Sequence, residues 1–166
     1  MTIYSAQSGD WEEPETWLGN TVPDLSVDDV VIVDSHFVDI DSGTSLILNP
    51  GRSINVDVGG ILNVYGTLQL QSSELIVNGD LQVNGGSLVV GNGGLLTVNN
   101  VVDVLNNATV QVAAGGSVRI NRAGDVNIQL DSSLTVGGTV DVFGNLGIDQ
   151  DSQLNVGNGG LVRIYS

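Results

Sequence analysis

Leu62-Asn63-Val64-Tyr65-Gly66-Thr67-Leu68-Gln69-Leu70, followed by Leu75-Ile76-Val77 and Leu81-Gln82-Val83, is the stretch that decides the fold. Apolar-x-apolar triplets start every six or seven residues in it. Strict alternation is the pattern of a strand with one buried face. Each triplet is too short to stand alone, so the strands must stack on one another.

Working outward, every third triplet falls into a column. One column starts at Ile54, Leu75, Leu96, Val118, Val140 and Val162, with spacings of 21, 21, 22, 22 and 22. A second starts at Leu62, Leu81, Val102, Val126 and Leu146, and a third at Leu68, Leu88, Val110, Leu134 and Leu154. Val30–Val33, Val38–Ile40 and Leu46–Leu48 supply one coil more. The reading is an all-β, three-sided parallel β-helix of about six coils, each pairing with the coils above and below. At a strand spacing of roughly 4.8 Å the stack is about 30 Å long. Left-handed hexapeptide solenoids keep a stricter step of about 18 residues per coil. The looser period here favours the right-handed form.

Composition agrees. The chain has 166 residues, 41% of them hydrophobic, with 23 Gly, no Cys and no Lys. That much apolar content argues against a disordered acidic chain, and the lack of Cys excludes a disulfide scaffold. Four Arg face nineteen acids, for a net charge of −15. No basic face for nucleic acid can be built from four Arg, and an anionic membrane surface would repel the chain. No apolar run has the length of a membrane-spanning helix, so neither nucleic acid nor membrane insertion is expected. No export signal of the basic-then-apolar kind is visible in the first twenty residues.

Glycine-rich corners recur, at Gly91-Asn92-Gly93-Gly94, Ala113–Gly116, Gly137-Gly138 and Gly157–Gly160. Stacked corners need positive φ or close backbone approach, which glycine allows. The nonapeptide of a calcium roll is absent, so these corners read as structural.

Residues 1–29 read as an N-terminal cap, and residues 30–166 as the β-helix of a single domain. The first segment holds both Trp, and ten of the nineteen acids lie between Asp10 and Asp41 without a Lys or Arg among them. A solenoid end leaves strand edges and core open, so it needs covering. Trp11 and Trp17 are the natural plugs; a sugar-stacking platform is the alternative. Gly9-Asp10-Trp11, Pro14, Thr16-Trp17, Gly19, Val22-Pro23 and Asp28–Ile32 resemble the opening of a large β-helical group. That group includes the extracellular domain family named for its eight glycines, bacterial surface proteins and structural proteins of tailed phages. The resemblance covers about the first forty-five residues. It implies a capped right-handed β-helix. Asn20 stands where the group often has a second Gly.

Chemistry is sparse. His36, the single His, reads as a solvated turn residue rather than a base. No Gly-x-Ser-x-Gly elbow is present, and one His argues against zinc. Glycoside cleavage needs two facing carboxylates. The outward rows read Asn55, Ile76, Thr97, Arg119, Asp141, Arg163; Asp39, Asn63, Gln82, Asp103, Asn127, Gly147; and Ile47, Gln69, Val89, Gln111, Thr135, Asn155. None places two acids on adjacent coils. Asp131, Asp149 and Asp151 share a corner and read as solvated.

Three candidate sites remain. Thr67, Gln69, Thr109, Gln111, Thr135 and Asn155 form a neutral hydroxyl and amide face suited to glycan, to which the exposed-Trp alternative would add Trp11 and Trp17. Asp24, Asp28, Asp29 and Asp34 are candidate calcium ligands; no other cofactor is expected. Arg119, Asp141 and Arg163 stack as a ladder of ion pairs, which with Ile164 and Tyr165 near the open end is a candidate subunit or partner contact.

The expectation is a non-enzymatic structural or adhesive module on a phage virion exterior, of head-decoration or tail-fibre type. It would be a homotrimer contacting other virion proteins or cell-surface glycan. An adhesion module of a secreted bacterial surface protein is the second reading, placing it extracellularly or on the cell surface. A polysaccharide-cleaving β-helix enzyme is the third.

Overall fold

The computed structural model describes residues 1–165. Three parallel sheets wind into a β-solenoid of about six turns. The first sheet stacks Thr2–Tyr4, Asp29–Ile32, Ser53–Val56, Glu74–Val77, Leu95–Val98, Ser117–Ile120, Thr139–Val142 and Leu161–Ile164. The second stacks Gly9–Asp10, Phe37–Ile40, Ile61–Val64, Asp80–Asn84, Val101–Leu105, Asp125–Ile128 and Asn145–Ile148. The third stacks Ser45–Leu48, Thr67–Leu70, Ser87–Val90, Thr109–Val112, Ser133–Val136 and Gln153–Val156. No α-helix occurs among the described residues; Pro14–Thr16 forms one turn of 3-10 helix. Among the described residues, no helix is long and apolar enough to cross a membrane.

The triplets fold as their alternation dictates. Leu62 and Val64, Leu68 and Leu70, and Leu75 and Val77 are all fully buried, while Asn63, Gln69 and Ile76 between them face out. Burying a Val or Leu side chain stabilises by roughly 1.5–3 kcal/mol. Sliding a strand by one residue would turn every such pair to solvent, which locks the register. The outward rows pair as the columns require: Arg119 beside Asp141 and Asp141 beside Arg163, Asp103 beside Asn127, Gln111 beside Thr135.

Corners are tight where coils meet backbone to backbone. A Cβ at Gly138 would lie 2.3 Å from the Gly116 carbonyl oxygen and 2.4 Å from that of Ala113. Only glycine lets the chain pass that close.

The expected boundary at residue 29 falls inside the sheets. Thr2–Tyr4 pairs in parallel with Asp29–Ile32, and Gly9–Asp10 with Phe37–Ile40. The first strand buries only Ile3 and the second spans two residues, so neither carries the triplet pattern. Trp11 and Trp17 join the same continuous core as the solenoid triplets.

Candidate functional site

Trp11 and Trp17 are 1% and 0% exposed. Their rings meet edge to face, with centroids 4.8 Å apart. The Trp17 indole Nε1–H donates to the Trp11 carbonyl oxygen at 2.7 Å, which satisfies its one polar atom in the core. No face of either ring is open to a sugar. The stacking platform is therefore corrected to a buried pair.

The four candidate calcium ligands point to separate partners. Asp24 accepts from the Ser26 backbone N–H at 2.9 Å, and its hydrogen bonds to Ser26 hold the carboxyl below its ordinary pKa. Asp28 lies 3.4 Å from the N-terminal ammonium. Asp29 accepts from the Ser53 backbone N–H at 2.9 Å and faces Arg52 at 3.5 Å. Asp34 accepts from the Ser35 hydroxyl at 3.3 Å. No group of three or more metal-ligating side chains occurs among the described residues. In place of the expected cation cluster, Asp24 and Asp34 make local turn contacts, Asp28 holds the N-terminus and the Asp24 backbone N–H, and Asp29 ties its coil to the next.

The ion-pair ladder is corrected to one pair. Arg163 Nε donates to Asp141 Oδ1 at 2.6 Å and Nη2 to Oδ2 at 2.9 Å. Arg119 turns the other way. Its Nε donates to Asn121 Oδ1 at 2.9 Å, and its guanidinium lies 5.0 Å from the centre of the Phe143 ring. Phe143 in turn stacks on Tyr165, 4.3 Å between centroids. Ile164 is 76% exposed.

Arg119 is diverted by a feature the outward rows did not reveal. Asn78, Asn99 and Asn121 each follow the last residue of a strand in the first sheet. Asn121 Nδ2 donates to Asn99 Oδ1 at 2.6 Å, Asn99 Nδ2 to Asn78 Oδ1 at 2.8 Å, and Asn78 Nδ2 to Asn55 Oδ1 at 2.9 Å. Asn55 Nδ2 donates to the Asp57 carboxylate. The relay thus has a carboxylate at its donor end and the Arg119 guanidinium at its acceptor end. Opposite charges at those ends strengthen the hydrogen bonds they terminate. The signal in the sequence was Asn at one fixed step past each strand, which a reading of triplets alone passes over.

His36 is also corrected. It is half-buried, and its Nδ1 lies 2.9 Å from the Ser5 hydroxyl oxygen. That oxygen accepts from the Val33 backbone N–H at 3.0 Å. The contact ties the first strand to the next coil. The second sheet begins with Asp10, which pairs beside Asp39, so one outward row does carry two acids on adjacent strands. Asp39 accepts from Asn63 Nδ2 at 2.7 Å. Asp41, next along, has its carboxyl pushed above the ordinary value, chiefly by the Asp10 charge, then by burial, Asp39 and Glu12.

On the third sheet, Gln69, Gln111, Thr135 and Asn155 share an outward row that also carries Ile47 and Val89. Thr67 and Thr109 lie in a second register row, Ser45, Thr67, Ser87, Thr109 and Ser133. They also line a groove of about 350 Å³, where the second sheet turns into the third.

The groove arises from turn length. Two residues, 65–66, join Val64 to Thr67, and two, 85–86, join Asn84 to Ser87; the flanking turns at 41–44 and 106–108 have four and three. Short turns between longer ones leave a notch. It is lined by Gly66, Gly85 and Gly86 together with Thr44, Tyr65 and Asn107. A Cβ at Gly66 would come within 2.3 Å of the Asp41 and Thr44 carbonyl oxygens. The sequence signal was the spacing of 19 between Leu62 and Leu81, against 21 to Val102 and 24 to Val126.

No family model matches this chain, and no curated protein matches it. Among solved structures it is similar to the crystal structure of a TibC-catalysed, hyper-glycosylated TibA fragment. The identity is 14%, over 99% of this chain and 70% of that one, at a TM-score of 0.28. A likeness of that extent transfers no function.

Proposed function

We propose that the chain is a non-enzymatic structural and adhesive module, a rigid acidic rod on a virion exterior that works as a homotrimer. Its contacts are other virion proteins or a cell-surface glycan. One observation carries this reading: the outward side chains are joined from rung to rung. The asparagine relay, the Asn63–Asp39 and Asn127–Asp103 bonds and the Arg163–Asp141 pair all link one coil to the next. Side chains held this way stiffen the rod and present fixed rows of polar groups, as an adhesive surface requires. The charge of −15 keeps such rods away from anionic surfaces.

Light scattering on the purified chain tests the assembly. A mass three times that of the 17.2 kDa chain is expected. A monomer at all concentrations contradicts the trimer. Recovery of the natural protein in the cell-envelope fraction, with none on purified particles, places the module on a bacterial surface and overturns the virion setting.

A further inference from the structure

We infer that the groove between the second and third sheets is a binding site for an extended, uncharged oligosaccharide, with the Tyr65 ring as its stacking surface. This rests on the adhesive reading above and names the site and ligand class for it.

Ser45, Thr67, Ser87 and Thr109 stand in register on successive strands and all line the groove. They make a row of hydroxyls at the strand spacing of about 4.8 Å. That pitch is close to the length of one sugar residue in an extended chain. Each hydroxyl both donates and accepts, which suits a ligand whose own groups do both. Thr109 Oγ1 already donates to Ser87 Oγ at 3.1 Å, so the row is oriented before a ligand arrives.

Tyr65 is 37% exposed beside this row. A partly exposed ring with an apolar body and a polar tip is suited to the C–H face of a pyranose. Gly66, Gly85 and Gly86 put no side chain into the groove, which leaves room for a flat ligand.

Charge decides the ligand class. No Arg, Lys, Asp or Glu side chain lines the groove, and the chain as a whole is strongly negative. An acidic glycan gains no counter-charge there and meets an unfavourable field. A similar groove on the next corner holds Arg52 and Glu74 and has no aromatic ring, so it serves as an internal control.

The test is calorimetric titration of the full chain with cellohexaose, xylohexaose, maltohexaose and an acidic oligogalacturonate. At least one neutral hexaose is expected to bind, and the galacturonate to fail. Tyr65→Ala is expected to weaken binding by about tenfold, the scale of one lost stacking contact. Arg52→Gln, outside the groove, is expected to bind as the parent does, and Tyr65→Phe, which keeps the ring, is expected to bind more tightly than Tyr65→Ala. Circular dichroism and melting of Tyr65→Ala show whether its fold is kept; if it is not, Ser45→Phe, which fills the groove from an exposed position, replaces it with the same expectation. Neutral binding that survives in whichever of these two variants keeps its fold overturns the groove and leaves the adhesive reading standing. Preference for the galacturonate overturns the ligand class. No binding of any neutral hexaose overturns this inference, and the adhesive reading then rests on the rod's protein contacts and its mass.

Discussion

Asn121 donates its Nδ2 to Asn99 Oδ1 at 2.6 Å, and Asn99 passes the pattern on to Asn78 at 2.8 Å. All three are partly buried, so removing the middle member leaves a donor on one side and an acceptor on the other without partners. Asn99→Ala is expected to cost about 1–3 kcal/mol. Urea unfolding reads this as a lower midpoint at unchanged slope. A midpoint equal to the parent's means that the relay contributes nothing to stability.

Trp17 tests the N-terminal core in the same terms. Trp17→Ala removes a ring that is fully buried and is expected to cost about 3–5 kcal/mol. Trp17→Phe keeps a ring but strips the donor from the Trp11 carbonyl, for about 1–3 kcal/mol. If both variants melt with the parent, the two rings are not part of the cooperative core.

Leu130 holds φ at +54° while 52% exposed. Asn106 occupies the corresponding corner of the preceding coil at φ +58°. A left-handed backbone is unfavourable for Leu and tolerated by Asn. Leu130→Asn is therefore expected to raise stability by about 1 kcal/mol, seen as a higher melting temperature. A lower one shows that the Leu130 side chain has a packing role outweighing the strain.

Asp41 sets a pH dependence. Its carboxyl is raised above 3.8 mainly by the Asp10 charge, so the folded chain binds that proton more readily than the unfolded one. Ionised Asp41 thus opposes folding at neutral pH, and the opposition fades as pH falls through the raised folded value toward 3.8. Asp41→Asn is expected to melt above the parent at pH 7. The difference should narrow as pH falls toward 4 and shrink in salt. A gap that stays constant with pH points to something other than charge.

Much of the fold is legible in the triplets, because period two and a period near 22 leave one way to bury Leu62, Val64, Leu68 and Leu70 together. The outward register followed from the same count, down to Arg163 beside Asp141. Partners beyond the register did not follow. Arg119 had a carboxylate on the next strand, yet an amide and a ring on its own side of the corner hold it. Trp11 and Trp17 read first as plugs, with the platform as the alternative until burial excluded it. The groove at Tyr65 was least legible, since it depends on two short turns between longer ones. Strand starts record them only as the short step of 19 from Leu62 to Leu81, which does not say which turn is short. The first strands were missed for another reason: Ile3 is a single apolar residue with no triplet around it.

The most direct measurement is retention of the purified chain on immobilised neutral polysaccharide, with the polymer's length followed over the same hours. A non-enzymatic adhesive rod stays on the polymer and leaves its length unchanged. Passage without retention contradicts neutral glycan as the contact of the adhesive rod. Steady shortening of the polymer contradicts the non-enzymatic half.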